Sequence, residues 1–286
     1  MLKNILIIIL ILIIFFVAVM IIDCHTFVVR KYSVHTDKAA VKKTKIVLLS
    51  DLHSTSFGKN NARLITAVKK LNPDAIMISG DMYTAVKGED GLKALPIFEQ
   101  LSKKYPIYYA NGNHELKASL KTDEFGSLYE DFKNRLTGWG VHYLENESIS
   151  LSDNPGIKIY GLNVPFDYYK KFKNMDLKKE TLDEMLGKVD ESEFSILLSH
   201  NPEYFESCVE WGADLVLSGH YHGGLMRLPL LKGVISPRFK LFPKYSYGEY
   251  LSNNGRTKMI LSCGLGTHTL PIRIFNPGEI SLIEIS

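Results

Sequence analysis

The chain has 286 residues, 45% hydrophobic, 11% aromatic and 23% charged, with a formal net charge of +3. Those fractions suit a folded globular protein and exclude a disordered chain, a collagen-like repeat and a small disulfide scaffold. With 34 basic against 31 acidic residues there is no global case for nucleic-acid binding. Cys24, Cys208 and Cys263 show no Cys-x-x-Cys spacing, so free thiols are expected rather than a zinc ribbon or a redox dithiol.

The first feature in chain order is an unbroken apolar run, residues 5–22, bracketed by Lys3 and Asp23. At about 1.5 Å per residue it reaches roughly 27 Å, close to a bilayer core of about 30 Å. It is long for a signal-peptide core and lacks a cleavage motif. The run predicts one uncleaved transmembrane anchor over residues 4–22, in the cell membrane, followed by a single domain over 25–286. Residues 25–45 hold Arg30, Lys31, Lys38, Lys42, Lys43 and Lys45 against Asp37, a sum of +5. By the positive-inside rule this cluster favours the cytoplasmic side for the domain. Residues 223–250 form a second basic stretch, with a sum of +4. Both invite contact with anionic headgroups.

Beyond the anchor, short apolar runs alternate with helical patterns. Strands are predicted at 46–49, 75–78, 107–110, 157–160, 195–198 and 215–217. Helices are predicted at 61–71, 92–101, around 132–136, and at 181–186. After Gly223 the pattern turns to strands, at 247–251, 258–262 and 280–285. The alternation predicts an α/β fold with a second sheet in the tail.

Five of these strands run straight into metal-binding residue types. Ser50 leads to Asp51-Leu52-His53, and Ser79-Gly80 leads to Asp81. Ala110 leads to Asn111-Gly112-Asn113-His114-Glu115, and Ser199 leads to His200. Ser218-Gly219 leads to His220-Tyr221-His222-Gly223-Gly224. Strand C-termini are where α/β sheets place ligands, so the five tips can converge. Asp51 and His53, two apart, would face the same way if their strand continued. Carboxylates, an amide oxygen and imidazoles make a mixed O/N site that suits Mn, Fe, Zn or Co better than calcium. An Asp able to bridge two ligand sets suggests a two-metal centre.

In all five blocks, and in this order, the chain from about residue 44 resembles the calcineurin-like metallophosphoesterases. The tail (Gly223-Gly224, Leu228-Pro229, Ser236-Pro237, residues 242–245, 264–266 and 271–273) is similar to a membrane-anchored subgroup. That subgroup includes UDP-2,3-diacylglucosamine pyrophosphohydrolases. The resemblance implies a four-layer αββα sandwich of two mixed sheets. It implies that Asp51, His53, Asp81 and His222 hold one divalent ion. Asp81, Asn113, His200 and His220 would hold the other, with Asp81 bridging. It implies that His114 binds no metal and acts as general acid. Tyr221, Leu225 and Cys263 depart from the family pattern.

The expected function is a membrane-anchored phosphoesterase. A metal-bridging hydroxide would cleave a phosphodiester, phosphomonoester or pyrophosphate bond in a phosphorylated small molecule or lipid-linked substrate. A pyrophosphohydrolase on a nucleotide-linked lipid, a non-catalytic membrane scaffold and a nuclease are the alternatives, and no nucleic-acid partner is expected. His25, His35 and His142 fall outside any motif and are expected to be structural or solvated, while His268 is a candidate substrate contact. Glu115 is expected either to orient His114 or to be solvated, and Asn111 to bond its own turn. Phe166, Tyr168, Tyr169 and Phe172, with Lys170, Lys171 and Lys173, form either an ordinary loop or a cap that meets lipid. Segments 163–177 and 225–250 are expected to set the substrate.

Overall fold

The computed structural model describes residues 1–87, 91–170, 175–228, 232–233, 241–267 and 271–286. Helix α1 (Leu2–His25) is exposed along almost its whole length and is long and apolar enough to cross a membrane. Only Thr26 separates it from the first strand.

The first sheet holds β1 (Phe27–Val34), β2 (Thr44–Leu49), β3 (Ala75–Ile78), β4 (Ile107–Ala110), β5 (His142–Leu144) and the last strand, β14 (Gly278–Ile285). Its order is β1-β14-β2-β3-β4-β5. The second sheet holds β6 (Glu147–Leu151), β7 (Asn154–Gly161), β8 (Phe194–Leu198), β9 (Leu215–Ser218), β12 (Gly248–Leu251) and β13 (Lys258–Leu261). Its order is β12-β13-β9-β8-β7-β6. A small ribbon pairs β10 (Arg227–Leu228) with β11 (Lys232–Gly233).

The side-chain period of two explains the layering. In β2, Ile46 and Leu48 pack into a core between the sheets, with Ile157 and Ile159 of β7 and Ile196 and Leu198 of β8. Val47 and Leu49 point the other way, into a core shared with α2 (Ala62–Leu71), α3 (Leu95–Leu101) and α6 (Leu128–Gly138). Strands buried on both faces read as continuous apolar runs, which is why β2, β3, β4, β8 and β9 were legible in the sequence. Helices α7 (Lys179–Leu186) and α8 (Phe205–Trp211) bury Leu182, Phe205, Cys208 and Trp211 against the second sheet. The architecture is therefore the expected four-layer αββα sandwich. Short helices α4 (Asn113–Leu120) and α5 (Thr122–Phe125) follow β4.

Strand direction gives the sandwich two distinct ends. β14 runs parallel to β1 and antiparallel to β2, while β2, β3 and β4 are parallel. The C-terminal tips of β2, β3 and β4 thus lie at the end where α1 enters β1. The second sheet is oriented alike. Asn154 at the start of β7 bonds Thr44 at the start of β2, and Lys258 at the start of β13 bonds the Ser33 carbonyl near the far end of β1. Strands β7, β8, β9 and β13 are mutually parallel, so their C-termini share the α1 end.

Some local expectations are corrected. The 92–101 helix begins as a 3-10 turn, Gly91–Ala94, and α3 starts only at Leu95, with Pro96 in its first turn where no amide is needed. Part of the basic stretch after α1 is strand β1. There Arg30 pairs with the buried Glu279 at 3.1 Å, and Tyr32 donates to the same carboxylate. All three cysteines are free.

Candidate metal centre

Strand β2 stops at Leu49, so Asp51 and His53 do not lie on a continued strand. Both residues instead take left-handed backbone, with φ of 51° and 47°. Asp81, His220 and His222 do the same, at 54°, 72° and 51°. L-residues avoid this region, and it persists only where surroundings over-determine it. Here the turns pin one another: the Asp51 amide donates to the Gly80 carbonyl, His53 to Asp81, and Ser54 to Met82. Gly219 has no room for a side chain, because a Cβ there would fall onto Ser50 Oγ and the Asp51 carboxylate.

These turns aim the carboxylates and imidazoles at one buried volume. Asp51 Oδ1 lies 3.4 Å from His222 Nε2 and 3.9 Å from His53 Nε2. Asp81 Oδ2 lies 3.1 Å from His200 Nε2 and 3.8 Å from His53 Nε2. Asp51-His53-His222 and Asp81-His200-His220 form two clusters of potential ligand atoms, and Asp81 also groups with His53 and His114. Asn113 brings a buried Oδ1 that has no partner among the described residues.

The outer partners fix which ring nitrogens face inward. Carbonyls can only accept, so His200 Nδ1 donates to Ser79 O at 2.5 Å and His222 Nδ1 to Gly266 O at 3.3 Å. In their neutral form both rings therefore present bare Nε2 lone pairs to the centre, the arrangement metal ligands need. His53 Nε2 and His222 Nε2 face each other at 3.1 Å. Lone pairs, carboxylates and an orphaned amide oxygen converging in this way fit divalent cations, and the mixed O/N set fits transition metals. His114 differs. Its Nδ1 accepts the Ala85 amide at 2.9 Å, so the proton of the neutral ring sits on Nε2.

Burial and mutual charge dominate the electrostatics. Burial, reinforced by Asp81, raises Asp51 to about 6 despite the opposing pull of His200. Burial would also raise Asp81, but His200, His114 and His53 hold it well below the usual carboxylate range. Burial opposes charge on His200, yet Asp81 and Asp51 push it up to about 10. Without ions, protons on the histidines do the neutralising.

Glu115 neither orients His114 nor meets solvent. It is fully buried and accepts from the backbone amides of Asp81, Met82 and Gly112 and from Tyr109 Oη. Burial, then the nearby Asp81, raise it to about 7. The signal in sequence was its place three residues after Gly112, the capping-box position of α4. Asn111 does not bond its own turn. It joins Tyr129, Tyr143 and Glu145 in a buried polar network behind the site. Tyr169, on a 3-10 turn (Phe166–Tyr169), is buried with its ring 5.8 Å from His220 and 6.1 Å from His200. It is a wall of the site, while Phe166 and Tyr168 pack on the second sheet's outer core. His25, His35 and His142 lie outside the centre, against Ile21, Ser286 and Tyr108. His268, Phe172, Lys171, Lys173 and much of 225–250 lie outside the described residues.

Residues 44–224 match the family model for calcineurin-like phosphoesterase. The chain is 28% identical over 261 residues to an uncharacterized metallophosphoesterase of Helicobacter pylori, covering 90% of this chain and 63% of that protein. It is 26% identical over 246 residues to the Bacillus subtilis uncharacterized metallophosphoesterase YkuE, covering 84% and 78%. A Danio rerio transmembrane protein with metallophosphoesterase domain is 27% identical over 258 residues, covering 84% and 53%. The chain thus spans less than two thirds of the Helicobacter and Danio relatives' length. With a family model matched over well more than half of its residues and the clustered Asp and His side chains that family implies for divalent metals, the chain belongs to the calcineurin-like phosphoesterase family.

Proposed function

We propose that the protein is a membrane-anchored, two-metal phosphoesterase, with residues 4–22 as anchor and 25–286 as catalytic domain. The observation that carries this reading is the convergence of two carboxylates and four histidines from four strand tips, with Nε2 of His200 and His222 turned inward by outer carbonyls. Asp51, His53, Asp81 and His222 would hold one ion. Asp81, Asn113, His200 and His220 would hold the other. Such ions polarise a phosphoryl group and supply a hydroxide nucleophile near neutral pH.

The chain's own groups do the rest. The His220 amide donates to Asp51 and the His114 amide to Asp81 Oδ1, so both carboxylates are oriented before any ligand arrives. His114 offers Nε2–H to the departing oxygen. In its resting tautomer it is a hydrogen-bond donor, and it becomes a full proton donor only when the Ala85 amide releases Nδ1. His114→Gln, which keeps an N–H donor, separates the two roles. Retention of most of the rate would make His114 a donor, and collapse with poor leaving groups would make it an acid. Tyr169 shields one side of the centre from water.

The anchor reading is supported by how α1 ends. Asp23 is buried and accepts the Asn276 amide at 2.8 Å, and Cys24 Sγ donates to Pro271 O. A removable leader has no need of such bonds. The deciding experiment strips metal from the purified full chain and restores Mn, Fe, Co or Zn singly. A chromogenic phosphodiester is then assayed beside the matching monoester. Metal-restored turnover is expected. No turnover with about two ions bound per chain would sink the catalytic reading.

A further inference from the structure

The end of the sandwich that carries the metal-ligand turns is also the end from which α1 departs. Three contacts tie the two together. Asp23, in the last turn of α1, accepts the Asn276 amide, and Asn276 Nδ2 donates to the carbonyls of His222 and Gly224 at 2.7 Å each. Ile274 pairs with the strand leaving that same turn, exchanging backbone bonds with Leu225 and Arg227. Phe275, between them, holds φ at 52°, a conformation a bulky side chain rarely takes, and stays 41% exposed. Its ring is 6.4 Å from Phe15 and 6.2 Å from Phe16. Those two phenylalanines precede Asp23 by seven and eight residues, so they lie roughly 11 Å deeper along the helix. When α1 spans a bilayer, the Phe275 ring is therefore at acyl-chain depth, while Asn276 and the His222 turn stand near the Asp23 level.

We propose that this end of the domain is seated in the bilayer that holds α1, with Phe275 dipping beside Phe15 and Phe16, and that the metal centre takes its phosphate ester from the headgroup of a lipid in that bilayer. The proposal rests on the phosphoesterase reading above for its second half only. The seating follows from the helix and the loop 271–276 alone. The linker gives no freedom to do otherwise, since Thr26 is the single residue between α1 and β1 and is itself bonded to Gly278. At the opposite end Leu251 is more exposed, at 61%, and pairs with Lys258, which reaches Ser33 near the end of β1.

The test uses the full chain reconstituted in phosphatidylcholine vesicles with plain or brominated acyl chains. Phe275→Trp should add emission that brominated chains quench about twofold beyond the wild-type background of the two native tryptophans. Leu251→Trp should add emission that they do not quench. Equal quenching of both variants, or of neither, overturns the seating. In a second arm the metal-loaded vesicles receive hexadecyl p-nitrophenyl phosphate or its methyl counterpart. Water adds at phosphorus and the ester bond to p-nitrophenol breaks, leaving hexadecyl or methyl phosphate. The bilayer-borne ester should turn over faster by about tenfold or more at equal bulk concentration, because the membrane concentrates it beside the site. Equal rates overturn the lipid substrate while leaving the seating to the quenching result. Hydrolysis of neither ester with ions bound refutes the phosphoesterase reading instead.

Discussion

The two ends of the sandwich are built from the same strands and do opposite things. The far end carries a cavity of about 870 Å³, lined in part by Lys38, Trp211, Asp214 and Arg256. Within it Lys38 is paired with Asp214 at 2.7 Å. The α1 end is crowded, with several turns in left-handed backbone and buried lone pairs aimed at one another. The chemistry that asks for a ligand is a set of donors without their natural counter-charge, and that set lies where the strands stop.

Mutations that respect this contrast should have graded effects. Asp81→Asn removes a carboxylate oxygen from the proposed bridge. Turnover should fall by more than the roughly 100-fold typical of a supporting residue, with metal content below two ions per chain by elemental analysis. Wild-type activity in that variant would sink the bridging role. Paired glycine changes come next. Gly219→Ala forces a methyl onto Ser50 and Asp51, and should cost both metal and most activity. Gly255→Ala, at the far end with φ of 71° and open space around it, should cost only about 1 kcal/mol of stability and no activity. Equal losses in the two would erase the distinction between the ends.

Glu115→Gln tests the hidden brace. One carboxylate oxygen becomes a donor facing backbone amides, so about 1–3 kcal/mol of stability should go, visible as a lower denaturant midpoint. Metal affinity should fall with it, because the Asp81 turn loses its clamp. At the far end Lys38→Ala should cost no more than about 1 kcal/mol, the pair being partly exposed, with kcat unchanged.

The smallest effect concerns pH in the metal-free protein. His200 is raised from an ordinary value near 6.5 to about 10. Its contribution is therefore complete below 6.5 and lost as pH rises through about 10. Thermal melts of stripped protein should drop across that window, and loading ions should flatten the dependence. A flat profile in the stripped protein would show that the Asp81–His200 pair does not carry this charge.

The contrast also explains what the sequence disclosed. Every strand tip with its ligand type was readable, because a doubly buried strand is a plain apolar run and the residues after it had no packing rationale. The route by which Asp51 and His53 reach the centre was not readable, since left-handed backbone at non-glycine residues is imposed by bonds to Gly80 and Asp81, about thirty residues away. Strand β1 is not among the predicted strands because its edge position leaves Val28 and Val29 exposed and interleaves Arg30 and Lys31 among apolar residues. Glu115 was misjudged because a carboxylate is rarely fully buried, and only its four donors make it tolerable there.

The place of β14 governs the order of events at birth. The last strand of the chain lies between β1 and β2, and Tyr32 meets Glu279 across 247 positions. Until β14 has been made, β1 has no neighbour and the edge of β2 stays open to mispairing. The second sheet has no such wait, since β6 to β9 pair among themselves. The loop between β13 and β14 gives Ser50 its bond from Leu265 and Asp51 its bond from Gly266. The turns that carry the candidate ligands therefore stay incomplete until this loop and strand have folded against them.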